Sequence, residues 1–381
     1  MGEEPQDFVV KPDTEGVIPD GGRGLGPPVR TMLARMLRTP TTAANLRERY
    51  TFVYGLARVG FFNDLTPNAA WVREVERHTP SYPTAADWIQ NCNTPANTVT
   101  EGLQLKASDF PPGVVYGHYS EGPVWRGRGE RATEVLSAMR GATLKEAKDL
   151  ALDTTTMDAR YWAAPLVAAY DARRSTVEDR VFDLRAAADA VRNWDHRVVK
   201  ESTGATVFHF WREEYHKLRP EAFGAAVKHK AFPQSPDEQA DAFKALQAAV
   251  ERMRELYGSV LVPWGRVLRL RRHGLDLPLD GSPGGVWGSE VLRSTGGSEM
   301  NEHGQIEFRG GQVVTSVVEL TDPIRVWSIV PWGQSRKEGA VHATDQMRLY
   351  SASEMRPTWH DWASLRDQIE SSKTYPYNLG E

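Results

Sequence analysis

Between Ser235 and Gly258 the sequence spells out a helix with both ends marked. Ser235 fits the N-cap, Pro236 the first turn, where its missing N–H is no loss, and Glu238 the position from which a carboxylate reaches back to the cap. Phe243, Leu246, Val250, Met253 and Leu256 or Tyr257 then recur at helical spacing, and Gly258 supplies the stop. A chain carrying this helix is not all-β. Near the other end of the sequence, "GQVVTSVVEL", "TDP" and "IRVWSIV" read as a β-hairpin turning at residues 321–323, so the architecture mixes both kinds of element.

A second helix start is marked by Thr143 and Glu146, a capping box in which the hydroxyl accepts from an early N–H and the carboxylate returns to the cap. Before it, "RATEVLSAMR" reads as a helix that begins at Arg131 and stops at Gly141. Residues 1–29, rich in Pro, Gly and acids, read as an irregular lead-in. An amphipathic segment over residues 29–37 follows, and then "YTFVYGLARVGFFN", two strands with Gly55 near the turn between them. Residues 66–130 hold many Pro, Gly and Asn and read as a long loop-rich region. The last fifth of the chain reads as strand and loop. No repeat and no sharp linker divides residues 30–381, and helices interspersed with strands give an α+β class.

Composition excludes several functions. Of the 381 residues, 40% are hydrophobic and 12 are Trp, with no long apolar stretch, as in an ordinary soluble globular protein with no membrane partner. The formal charge of -4 argues against a nucleic-acid binder. Cys92 is the single cysteine, so no internal disulfide forms. The acidic start, with no apolar run behind it, does not read as a signal peptide, and Met1-Gly2-Glu3 lacks the Ser or Thr of a myristoylation sequence.

Four groups of residues invite a chemical reading. His342 and Asp345, with Ser335 nearby, have the residue types of a nucleophile, base and orienting acid, but Gly333-Gln334-Ser335-Arg336-Lys337 is no Gly-x-Ser-x-Gly elbow. Polar groups that pin a loop are the plainer reading. His209, His216, His229, His273, His303 and His342 are scattered, with neither His-Glu-x-x-His nor Cys-x-x-Cys, so no metal site is marked. "GRGERA", residues 127–132, lacks the lysine and the preceding strand of a phosphate loop, and reads as a flexible approach to a helix. In "WIQNCNTPAN", residues 88–97, the amides Gln90, Asn91, Asn93 and Asn97 either satisfy the backbone of an irregular loop or aim an N–H at a developing oxyanion.

Four stretches, in order over residues 45–362, resemble the penicillin acylase (penicillin amidase) family of N-terminal-nucleophile hydrolases, including the acylases of homoserine lactones and lipopeptides. "FVYGLARVGFFNDLTP" resembles the family's strand pair before a Pro-bearing loop, and "WIQNCNTP" its Asn-rich loop. "WGRVLRLRRHGLDLPLDG" resembles its Trp-Gly and Asp-Leu-Pro-Leu-Asp-Gly segment, and "GGQVVTSVVEL" through "IVPWGQSRKEGAVHATDQMRLYSASEMRPTW" its C-terminal signature. The resemblance implies part of an αββα sandwich and cleavage of N-acyl bonds in small linear amides by an N-terminal serine whose own α-amino group is the base. It places the oxyanion-binding side chain at Asn93, with Asn91 the neighbouring alternative.

"RGERATEV" resembles a family segment whose arginine positions substrate and the Asn loop, which gives that role to Arg131; a solvent-exposed arginine at a helix start is the plain reading. No Gly-Ser-Asn occurs, since Ser259, Ser282, Ser289 and Ser298 follow glycine but none precedes Asn. The chain therefore resembles the C-terminal part of the family's large chain, shortened around residues 68–88, and its expected partner is a missing upstream chain. A catalytically inactive relative that binds an acylated ligand or a protein is the alternative. The resemblance implies no required cofactor; Asp109 in "KASDF" resembles a calcium-ligating segment of some relatives, but one carboxylate cannot supply the six to eight oxygens calcium takes. It also implies a periplasmic or secreted location.

Overall fold

The computed structural model describes residues 88–92, 94, 98–102, 127–176, 181–220, 235–284, 288–297, 299–359 and 361–372. The chain divides into two compact units, Met1–Val124 and Trp125–Glu381. The expected lead-in, the segment over residues 29–37 and the strand pair all lie outside the described residues.

In Trp125–Glu381 the core is helical. The helix with marked ends is α6, Pro236–Tyr257; both halves of its capping box form, and Gly258 closes it at φ 70. It packs most extensively against α5, Thr203–Leu218, and α4, Val181–Arg192, and α3, Met157–Asp171, complete the cluster. The Trp211 indole of α5 donates to the Ala242 carbonyl of α6 at 3.0 Å, which satisfies a polar atom inside the core. Trp211 also stacks on Tyr215 with ring centroids 5.1 Å apart.

Two of these helices escape a reading of periodicity for identifiable reasons. In α5 every residue from Gly204 to Arg212 is buried, so no polar face marks its turns. In α3, Pro165 sits inside the helix, where a missing N–H reads as a break, yet Trp162, Ala163, Leu166, Val167 and Tyr170 keep the buried stripe continuous on both sides of it.

Helix α1 runs Gly127–Ala138 and α2 Leu144–Ala151, the latter starting at the capping box of Thr143 and Glu146. The first turn of α1 corrects two expectations, because "GRGE" is helical rather than a flexible approach to a start at Arg131. Gly127 is held where a Cβ would lie 2.8 Å from the Cβ of Glu290, so this glycine serves close packing.

After the short α7, Trp264–Val267, the chain enters a three-stranded sheet ordered β2-β1-β3, with β1 at Leu268–Arg272, β2 at Leu275–Pro278 and β3 at Ile306–Glu307. β1 and β2 are antiparallel, pairing Leu270 with Leu277, around a two-residue turn in which His273 and Gly274 both have positive φ, 46 and 80. β3 lies parallel to β1. The expected C-terminal hairpin is β4, Thr315–Glu319, and β5, Arg325–Ile329, paired antiparallel with Val317 opposite Trp327, and β6, Arg356–Pro357, extends it. α2 covers β4, and the Lys148 ammonium sits 4.3 Å from the Trp327 ring centre. The class is α+β. The last fifth also contains two short helices that the sequence does not announce, α8 at Met347–Ser351 and α9 at Trp362–Arg366.

The two sequence segments with the most distinctive motifs meet in the core. Arg293, fully buried, reaches the Asp280 carboxylate of "DLPLDG" at 3.2 Å. It also donates to the Ser353 hydroxyl and the Tyr350 carbonyl, while Ser353 Oγ donates to Asp280 at 2.7 Å.

Candidate functional site

The Asn-rich loop belongs to the first unit, and Asn93 itself lies outside the described residues. The described residues on either side of it are tied to one another. The Gln90 amide N–H donates to the Val99 carbonyl at 2.8 Å, and the Thr100 hydroxyl donates to the Trp88 carbonyl at 2.7 Å, so the two ends of the loop are tied side by side. Inside that closure the Gln90 side chain spans the loop, its Nε2 donating to Thr94 Oγ1 at 3.0 Å and to the Thr98 carbonyl at 3.1 Å. A carbonyl only accepts, so the contact to Thr98 fixes which end of the carboxamide faces it. Gln90 is 6% exposed, and its Oε1 has no hydrogen-bond partner among the described residues. Asn91 is exposed, while Cys92 is buried. Gln90 is thus an internal tie among the described residues of this stretch. The sequence signal for it was present, a long amide followed by two threonines, but composition alone could not separate it from its asparagine neighbours.

In the second unit Arg131 sits on the second turn of α1. It is not a solvent-exposed helix-start arginine. Its Nη2 donates to Asp153 Oδ2 at 2.8 Å and its Nε lies 3.3 Å from both oxygens, while Nη1 is 3.4 Å from Glu134. Burial lowers the guanidinium pKa, but the Asp153 contact and then Glu134 raise it further, so the net shift is upward and the charge is secure. Asp153 is held in turn, its Oδ1 accepting the Thr155 N–H at 2.7 Å and its carbonyl accepting the Arg293 N–H at 2.8 Å. Glu134 also takes the Arg160 guanidinium at 3.1 Å.

The rest of α1 continues this pattern. Arg128 pairs with Glu290 at 3.1 Å, and Glu130 accepts from the Tyr161 hydroxyl. Burial pushes the Glu130 carboxyl above its ordinary range and, with the Glu130 contact, pushes the Tyr161 phenol up as well. Across the network Asp158 accepts the Glu290 N–H at 3.3 Å and faces buried Arg212 at 4.0 Å. The four charged side chains of α1, Arg128, Glu130, Arg131 and Glu134, are thus all paired, Arg131 most closely with Asp153.

His342 and Asp345 do form a pair, Nδ1 to Oδ2 at 2.7 Å, but the second ring nitrogen meets Glu370 at 2.8 Å rather than a nucleophile. Ser335 takes part through its backbone, donating its N–H to the His342 carbonyl at 2.9 Å, and its hydroxyl accepts the Lys337 N–H. A Cβ on Gly333 would stand 2.2 Å from that same carbonyl. The stretch is a pinned loop, and among the described residues no base is directed at the Ser335 hydroxyl. Among the described residues no group of three or more His, Cys, Asp or Glu could hold a metal ion, and no helix is long and apolar enough to cross a membrane.

A family model described as penicillin amidase matches residues 66–367. Among solved structures, the chain is similar to a thermostable penicillin G acylase from Alcaligenes faecalis at 14% identity and a TM-score of 0.39, over 77% of this chain and 57% of that one. The chain thus spans little more than half the length of that relative.

Proposed function

We propose, from the premise that this chain belongs to the penicillin amidase family, that it forms part of a hydrolase of N-acyl bonds in small linear amides whose nucleophilic serine comes from sequence outside these 381 residues. The observation that carries the reading is the family match over residues 66–367 in a sequence without Gly-Ser-Asn. In the proposed reaction a serine hydroxyl at a chain N-terminus gives its proton to its own α-amino group and attacks the amide carbonyl. The oxygen that gains charge accepts from the Asn93 carboxamide, a donor whose benefit is largest in the transition state. Collapse expels the amine with the proton and leaves an acyl ester, which water hydrolyses to the acid. Arg131, kept charged by Asp153, has the substrate-positioning role.

The test is to assay residues 1–381 alone and together with an upstream acylase chain on phenylacetyl and lauroyl amides of a chromogenic amine. Turnover by the pair and none by this chain alone is expected. Robust turnover by this chain alone overturns the external nucleophile, and none by the pair overturns the hydrolase reading. In the active pair, Asn93→Ala lowers kcat by about 100-fold or more, as loss of an oxyanion donor does. The missing Gly-Ser-Asn also favours a second reading, an inactive relative that binds acylated ligands. Heat of binding in calorimetry with a lauroyl amide, without hydrolysis by the pair, is its signature.

A further inference from the structure

We infer that Asp153 is a specificity-determining residue: by neutralising Arg131 it makes that arginine select an uncharged N-acyl amide over one that bears a carboxylate. This rests on the reading of Arg131 as a substrate-positioning residue. A guanidinium presents five N–H groups, and a carboxylate held by two of them is its favoured ligand. In this chain a protein carboxylate already fills that place. The Nε and Nη2 edge of Arg131 lies against Asp153, with Nη2 to Oδ2 at 2.8 Å and Nε 3.3 Å from both oxygens. The N–H groups left for a substrate are those of Nη1 and the second of Nη2, and Nη1 itself stands 3.4 Å from Glu134.

Asp153 is held in place from two sides. Its Oδ1 accepts the Thr155 N–H at 2.7 Å and its carbonyl accepts the Arg293 N–H at 2.8 Å, so the carboxylate does not swing aside for an incoming anion. Glu134 is shared with Arg160 at 3.1 Å, and two arginines with two carboxylates form a group without net charge. The Arg131 and Asp153 side chains are 19% and 14% exposed, where salt and solvent screen charges less than at an open surface. A substrate carboxylate brought to the remaining edge of Arg131 therefore meets two carboxylates at short range. A neutral carbonyl oxygen accepts a charge-assisted hydrogen bond there without that repulsion.

The experiment measures kcat/KM of the active pair of chains on matched p-nitroanilides. Pentanoyl and glutaryl amides differ by a carboxylate on the acyl group, and phenylacetyl p-nitroanilide is set against the same amide with a carboxylate on the aniline ring. The neutral member of each set is the better substrate. Asp153→Asn, which keeps the shape and removes the charge, lowers that preference by about tenfold in the set whose carboxylate reaches Arg131, as deletion of a like charge about 6 Å away does. Glu134→Gln shifts it in the same direction, and decides if Asp153→Asn does not fold. A merely structural role lowers kcat/KM on both members alike and leaves their ratio where it was. A carboxylate-bearing amide preferred by the unaltered pair, or ratios that the charge deletions leave unchanged in both sets, overturns the role of Asp153. Arg131→Met with unchanged kcat/KM on all four amides overturns the parent reading of Arg131 instead, and no turnover by the pair overturns the hydrolase reading beneath both.

Discussion

Arg293 and Asp280 form an ion pair at 3.2 Å with the arginine side chain fully buried and the aspartate 9% exposed. The pair is embedded in a wider set of bonds, since Asp280 Oδ1 also accepts the Lys200 N–H at 2.8 Å and Arg293 lies 4.8 Å from the Tyr350 ring centre. Removing one partner leaves an uncompensated charge in the core, which costs about 3–5 kcal/mol. Asp280→Ala and Arg293→Ala should each lower the denaturant midpoint accordingly. The double variant Asp280→Leu with Arg293→Met should recover most of the loss, and a double variant no better than the singles counts against this account.

His342 is raised in pKa first by its hydrogen bond to Asp345 and then by that to Glu370. A raised folded pKa means that the bound proton stabilises the fold, fully below the unfolded value of about 6.5, and that this is lost as pH rises through the folded value. His342→Gln should therefore lower the melting temperature more at about pH 5.5 than at about pH 8.5. Equal effects at both would remove the charged pairs from the explanation.

Glu213 is shifted in the opposite direction. Burial raises its carboxyl, but the His209 ring, 3.4 Å away, and the Arg252 guanidinium at 2.6 Å bring it down to about 2. Stability from this group is present above the unfolded value of about 4.3 and is lost as pH falls toward the folded one. The destabilisation by Glu213→Gln should thus be large at neutral pH and shrink between about pH 4 and 2. A pH-independent difference in unfolding free energy refutes the assignment.

Gly204 is a case where propensity and packing disagree. Alanine is the better helix former by about 1 kcal/mol, but a Cβ at this position in α5 would lie 2.5 Å from the Trp194 Cβ and 2.6 Å from the Ala190 carbonyl. Overpacking of that kind costs about 1–3 kcal/mol, so Gly204→Ala should lower the melting temperature. An increase would mean that α4 and α5 separate more readily than the contact implies.

What could be read from the sequence was local. Ser235 with Glu238, Thr143 with Glu146, Gly258 and the turn before Pro323 each act within a few bonds of themselves, and each appears where its chemistry places it. α3 and α5 were not legible by the same means, because Pro165 imitates a break and burial on every side of α5 erases the alternation that periodicity measures. Gly127 looked like freedom and proved to be contact, since its reason is Glu290, far along the chain.

The candidate site divides along the same line. The sequence by itself determined the family through ordered motifs, and it determined the residue types available: the amides of residues 90–93, Arg131, and the pair His342 and Asp345. Only the tertiary structure decided which atoms those residues use on one another. Arg131 is bound to Asp153, twenty-two residues away, and the second nitrogen of His342 is taken by Glu370, twenty-eight residues on. Gln90 reaches Thr94 and the Thr98 carbonyl, four and eight residues along the chain. Hydrogen bonds are selected by distance and direction in space, and neither is a function of sequence separation once the chain has folded back on itself.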